Sequence, residues 1–217
     1  MEKLFSNFLC IGAGLTVTLQ LMVGGFLIGA TVGSLLAILR YSNISKICTF
    51  LIDRIVSIIR GTPLILQLSL IYFSVPGIFG VRLSAVAAGV IAFGINSSAY
   101  VSEILRSGIE SLPKGQFEAA KTLGIPKFRM WKDIIMPQVI ANILPAVVNE
   151  IIALLKETAL IATIGGMDIM RSSQTLAAQQ YEYFMPLCIA GVYYYFMVAS
   201  VEFIGKKIES RQLHVKG

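Results

Sequence analysis

Five stretches of this sequence, roughly residues 10–39, 55–75, 84–105, 137–160 and 184–205, are apolar for long enough to cross a bilayer. A helix needs about 20 residues to span roughly 30 Å of hydrocarbon. In that medium the backbone must satisfy its own N–H and C=O groups, and a helix does so within a single segment. Some of the five carry polar interruptions, and the first is long enough to tilt or to begin in the outer interface. Composition agrees. Hydrophobic residues make up 56% and charged residues 14%, against about 25% charged in a soluble chain. The expected fold is an all-α membrane protein of about five transmembrane helices, a single domain over residues 1–217. The start, Met1-Glu2-Lys3 followed by mixed residues, lacks the net-positive run and clean cleavage site of a signal peptide, so the first stretch is read as retained.

Charge orients these spans. Arg40, Lys46, Arg54 and Arg60 flank the first connection, Arg106, Lys114, Lys121, Lys127, Arg129 and Lys132 the third, and Lys206, Lys207, Arg211 and Lys216 the tail. The opposite side holds Lys3, Arg82 and Arg171. Basic loops stay in the cytoplasm, which predicts an outside N-terminus and a cytoplasmic C-terminus. The net charge of +6 is therefore read as anchoring and orientation rather than as a nucleic-acid footprint.

Polar and small residues inside the spans have structural readings first. Gly25, Gly29 and Gly33 form a four-residue ladder that lets a second helix approach closely. Pro137 reads as a helix start and Pro145 as a kink inside span four. Cys10, Cys48 and Cys188 stand singly and His214 lies in a polar tail, so no metal site or cysteine–histidine nucleophile is expected.

The loop over 107–133 is too polar to span and too long for a bare turn. Gly115 to Leu123 reads as a short amphipathic helix with Phe117, Ala120 and Leu123 near one face, stopped by Gly124 and followed by Pro126. On pattern alone it either docks a partner or lies on the membrane interface.

The run Gly115-Gln116-Phe117-Glu118-Ala119-Ala120-Lys121-Thr122-Leu123-Gly124, with Ile134 and Pro137 beyond it, resembles the cytoplasmic signature loop of ATP-binding-cassette importer permeases, closest to the polar amino acid branch. Arg60-Gly61-Thr62-Pro63, Ala99-Tyr100-Val101-Ser102-Glu103-Ile104 with Arg106, and Leu155-Lys156-Glu157-Thr158 match the same branch in order and spacing, so the likeness covers roughly residues 10–210. Met136 stands where the pattern has leucine, and Ala159 where a serine is common. The second departure removes a hydroxyl from the implied pathway.

The resemblance implies a type I importer permease in the bacterial cytoplasmic (inner) membrane. It implies no catalytic residue and no cofactor on this chain, with ATP and Mg bound by a separate cytoplasmic ATPase dimer. The sequence has no Gly-x-x-x-x-Gly-Lys-Ser/Thr phosphate loop. Gly115, Gln116, Glu118, Ala119, Ala120, Leu123 and Gly124 would couple to the ATPase, although Glu118 also reads as a solvated residue of a surface helix. Further implied partners are a second permease subunit (a copy or a paralogue), an extracytoplasmic solute-binding protein, the lipid bilayer and a polar amino acid. No nucleic acid is implied.

Four residues are candidates for the substrate pathway. Glu150 lies mid-way along span four, where an unpaired carboxylate is costly. Asp168 follows in the outer re-entry region Gly165–Arg171, and for a polar amino acid permease the two acids together would favour a cationic side chain such as arginine, lysine or histidine, with glutamine or another neutral polar amino acid left open. The alternatives pair Glu150 with Lys156 or an adjacent subunit, and make Asp168 a helix cap or a partner of Arg171. Asn96 and Ser97 in span three bond either to substrate or to structure. Two other classes compete with an energised importer. A channel or secondary transporter needs no docking loop, and an intramembrane enzyme would gather several reactive side chains at one depth.

Overall fold

The structure, a computed structural model, describes residues 2–41 and 45–214, with side chains as far as residue 211. All regular structure among the described residues is helical. Helices α1 (Glu2–Gly12) and α2 (Leu15–Tyr41) form one apolar run. They are followed by α3 (Lys46–Gly61), α4 (Leu64–Phe79), α5 (Ala85–Glu110) and the short α6 (Lys114–Thr122). Helix α7 (Lys127–Ile164) contains a π turn over Met130–Ile135 and ends in 3-10 turns over Thr158–Ile164. Two helices, α8 (Ile169–Gln180) and α9 (Phe184–His214), complete the fold. Among the described residues four helices are long and apolar enough to cross a membrane, and five crossings result if α3 and α4 count as one bent span.

That bend departs from the expected continuous helix over 55–75. Helices α3 and α4 meet at 100°. Pro63 lacks an N–H and disfavours the helical region for the residue before it; Thr62 is accordingly extended, with φ −113° and ψ 142°. Two further boundaries differ. The first crossing begins in α1 and is interrupted before Leu15. The fourth begins at Lys127, ten positions before Pro137. Pro137 does open the α-helical part of α7, but the π turn continues the helix backwards from it. Pro145 stands inside α7.

The centre of the bundle is α2 packed against α5, and the glycine ladder explains why these two lie so close. A Cβ on Gly25 would stand 3.0 Å from Phe93 Cβ, one on Gly29 2.6 Å from Ser97 Cβ, and one on Gly33 2.8 Å from Val101 Cβ. The rungs on both helices advance by four residues, so each glycine receives one α5 side chain and the backbones approach to a distance that any larger residue forbids. Around this seam Leu21, Leu64, Leu68, Ala92, Phe93, Leu154 and Ile161 form a core that joins α2, α4, α5 and α7.

Helix α3 begins at Ser45, whose hydroxyl accepts from the Ile47 N–H at 3.2 Å, a side-chain N-cap. Its Ile52 and Val56 pack on Leu36, Leu39 and Ala99. Ile47, Phe50, Leu51, Ile55 and Ile58 remain exposed on its other side. An apolar stripe of that extent suits lipid or a neighbouring subunit rather than water.

Candidate functional site

Helix α6 is set by its ends. Pro113, with φ −58°, leads directly into its first turn. At the other end Gly124 has φ +68°, the left-handed conformation that L side chains disfavour. The Gly124 N–H donates to Lys121 O and the Ile125 N–H to Ala120 O, each at 3.0 Å. This pair of bonds, with Ile125 and Ala120 in one apolar cluster, is a Schellman termination. It turns the chain sharply enough for α7 to start only a few residues later.

The expected apolar face of α6 divides. Ala120 is 2% exposed and packs with Phe117 on the α5 and α7 ends. Leu123, expected on that face, is 76% exposed because it sits at the C-cap, outside the helical register. Gln116 also points inward: its amide and that of Gln138 bond reciprocally at 3.0 and 2.7 Å, tying α6 to α7. Gly115, Glu118, Ala119, Leu123 and Gly124 are left exposed. A short helix is thus clamped to the bundle by one side and presents the other outward.

Inside the bundle the Ser97 hydroxyl donates to Glu150 Oε1 at 2.8 Å. Among the described residues Glu150 makes no ion pair, with Lys156 or any other cation, within reach of a salt bridge. Glu157 lies seven positions further along α7, on the same helical face. Asn96 turns elsewhere. Its amide donates to Gln67 Oε1 at 3.3 Å, and the Gln67 Nε2 donates to Ile59 O at 2.8 Å, Thr62 O at 3.2 Å and Thr62 Oγ1 at 2.9 Å. Those oxygens lie at the end of α3, where the bend leaves carbonyls without helical partners.

Asp168 is 0% exposed and caps α8: its Oδ1 accepts from the Arg171 N–H at 2.8 Å, and its Oδ2 accepts from the Tyr194 hydroxyl at 3.0 Å. Burial pushes this carboxyl above its usual range, and the backbone N–H groups of Arg171 and Met170 with the Tyr194 hydroxyl pull it back. The arrangement is the capping alternative of the sequence reading, with the Arg171 backbone rather than its guanidinium as the partner.

The sequence matches the family described as binding-protein-dependent transport system inner membrane component over residues 13–214. The chain belongs to that family. It is a permease subunit of an ATP-binding-cassette importer, in which ATP is hydrolysed on a separate chain. A Rickettsia typhi permease named for a glutamine transport system is 46% identical over 211 residues, covering 97% of this chain and 96% of that one. The arginine transport system permease protein ArtQ of Bacillus subtilis is 43% identical over 198 residues, covering 91% and 90%. Among solved structures, an amino acid ABC transporter crystallised with histidines aligns with TM-score 0.87 and 38% identity, over 97% of this permease and 96% of that chain. An inward-facing methionine ABC transporter has TM-score 0.76 at 19% identity, covering 94% and 96%, a likeness of fold.

Two features of the permease site were not picked out as candidates from its sequence. Glu157 could have been found from its seven-residue spacing to Glu150, which places both acids on one face of a helix. The second is the meeting of Arg60 with Glu103, at 3.3 Å. These residues were visible as separate motifs, but no periodicity within either segment foretells their contact across the bend.

Proposed function

We propose that this permease forms half of the pathway by which a polar amino acid with a cationic side chain enters the cell. Glu150 carries the reading. It is a half-buried carboxylate inside a membrane-crossing helix, held by one serine hydroxyl and by no cation among the described residues. Charge in that position is expensive and persists where a partner of opposite sign is supplied, here by the substrate. Glu157 on the same face adds a second carboxylate. The protein named for arginine transport supports the same chemistry. The stronger identity to a protein named for glutamine transport favours a neutral polar substrate instead, recognised by hydrogen bonds around Ser97.

The remaining parts follow from the family and from charge. The N-terminus lies outside and the C-terminus in the cytoplasm, since the basic residues gather at the α2–α3, α5–α7 and C-terminal ends. Glu118, Ala119, Leu123 and Gly124 on the exposed side of α6 seat in a cytoplasmic ATPase, and ATP-driven closure of two ATPases rocks the spans. A second permease subunit, a copy or a paralogue, supplies the other half of the pathway. A solute-binding protein delivers substrate from outside. Gly115 borders the docking face, while Gln116 and Ala120 hold α6 in place beneath it.

The substrate reading is tested by uptake into vesicles containing the permease, its ATPase and its binding protein, with labelled arginine and labelled glutamine in competition. A Glu150→Gln permease that loses arginine uptake while the complex still assembles supports a cationic substrate. Undiminished arginine uptake in that variant, or a wild type that takes up only glutamine, overturns it.

A further inference from the structure

Glu103 lies at the meeting point of three helices. On α5 it accepts from Arg40 Nη1 at 2.7 Å and from Arg106 Nη2 at 2.9 Å, and it forms an ion pair with Arg60 Nη1 at 3.3 Å. Arg40, in the last turn of α2, also pairs with Asp53 of α3 at 2.5 Å. Arg106 pairs with Glu110 at 2.7 Å on its own helix. The groups border an open cavity of about 670 Å3 between α2, α3 and α5. The Arg40 side chain is only 7% exposed, so its charge depends on these carboxylates for compensation.

The cluster has structural connections on two sides. On one, Arg60 sits in the last turn of α3, directly before the bend. Gln67 bridges that bend by bonding Ile59 and Thr62, and Asn96 holds Gln67. Asn96 is the neighbour of Ser97, which holds Glu150. On the other side, Tyr41 follows Arg40. Its ring lies edge-on to Trp131 at 6.0 Å between centroids, and Trp131 lies edge-on to Phe117 of α6 at 6.0 Å. Chains of packed rings, ion pairs and hydrogen bonds between rigid helices are the means by which a displacement at one site reaches another.

We propose that Glu103 is a positioning residue for transport, the joint through which movement of the docking helix reaches the α3–α4 bend and the part of α5 that carries Ser97. This rests on the importer reading above. Arg40–Asp53 joins α2 to α3 directly; the Glu103 carboxylate adds α5, tying it to the end of α2 and to the bend end of α3 so that the three move together. Without it, α6 still docks and the ATPase still turns over, but α5 and the bend no longer follow together. Arg60 is the arm of the joint on the bend, and Arg40 the arm on the docking side.

The test uses the full complex in vesicles, with ATPase and binding protein. Uptake of labelled arginine and glutamine and hydrolysis of ATP are measured in the same preparation. Glu103→Gln keeps the side-chain volume and removes the charge. It is expected to co-purify with the ATPase, to retain ATP hydrolysis, and to lower amino acid taken up per ATP by about tenfold or more, within the usual range of coupling between sites. Glu103→Asp is expected to recover most of that ratio. A double Glu103→Gln/Arg60→Gln variant should be no worse than the worse single one, because both remove the same link. An unchanged ratio in Glu103→Gln, or uptake and hydrolysis falling in step, overturns the proposal, as does an additive double variant. Should Glu103→Gln fail to assemble, Arg60→Gln carries the reading, since the Arg60 side chain is 41% exposed and not buried like that of Arg40. There too a lowered ratio supports the joint and an unchanged one overturns it. Wild-type vesicles without ATP-dependent uptake of either amino acid would overturn the importer reading itself, and with it this proposal, a result distinct from loss of the ratio in the variants alone.

Discussion

Ser97 and Glu150 are joined by a 2.8 Å hydrogen bond between α5 and α7. The serine is fully buried and sits against Gly29 of α2, so the carboxylate is aimed by a side chain that is itself clamped. A hydrogen bond to a charged group contributes roughly 1.5–3 kcal/mol. Ser97→Ala is therefore expected to weaken arginine uptake by about tenfold in half-saturating concentration, while leaving ATPase co-purification intact. Titrating uptake against substrate concentration separates this from a loss of folded protein.

The close seat of Gly29 is a stability device. A Cβ there would lie 2.6 Å from both Ser97 Cβ and Oγ, whereas one on Gly191 of α9 meets nothing within 4 Å. Gly29→Ala should destabilise the permease by about 1–3 kcal/mol, the usual result of overpacking. Gly191→Ala should stay within about 0.5 kcal/mol of wild type. Thermal unfolding in detergent compares the pair directly.

Asp168 separates a capping role from a charge role. Asparagine caps a helix about as well as aspartate, and alanine does not. Asp168→Asn is expected to keep both thermal stability and arginine uptake. Asp168→Ala is expected to lose about 1 kcal/mol. Arginine uptake lost in the asparagine variant at unchanged stability would instead assign the carboxylate to the substrate pathway.

The exposed and buried sides of α6 give opposite variants. Leu123→Asp alters a 76% exposed side chain and should abolish co-purification of the ATPase without lowering the unfolding temperature. Phe117→Ala removes packing against Trp131 and should lower that temperature as well. Co-purification that survives Leu123→Asp would move the docking face elsewhere.

Much of this architecture was legible because lipid imposes few solutions. Apolar length marked the apolar stretches that cross, the four-residue glycine spacing marked the α2 face that meets a second helix, and Gly124 with Pro126 marked the end of α6. What the sequence concealed depends on contacts between distant segments. Pro63 lay within the stretch 55–75 expected as one continuous helix, and the 100° bend there is a relation between α3 and α4 that apolar length does not carry. Leu123 kept its helical spacing from Ala120 on paper, yet the turn at Gly124 swings it outward. Glu150 inside span four and Asp168 in the outer re-entry region stood together as acids of the pathway. Only the fold distinguishes the one that caps α8 and meets Tyr194 from the one left with a single serine.

The most direct test of the account is transport by the intact complex. Vesicles holding this permease with its ATPase, and supplied with binding protein on the outer side, are assayed for uptake of labelled arginine and glutamine with and without ATP on the ATPase side. Uptake of at least one of them is expected, and it should require both ATP and the binding protein. Uptake that persists when either is withheld would contradict it, and would place the chain with channels or secondary carriers instead.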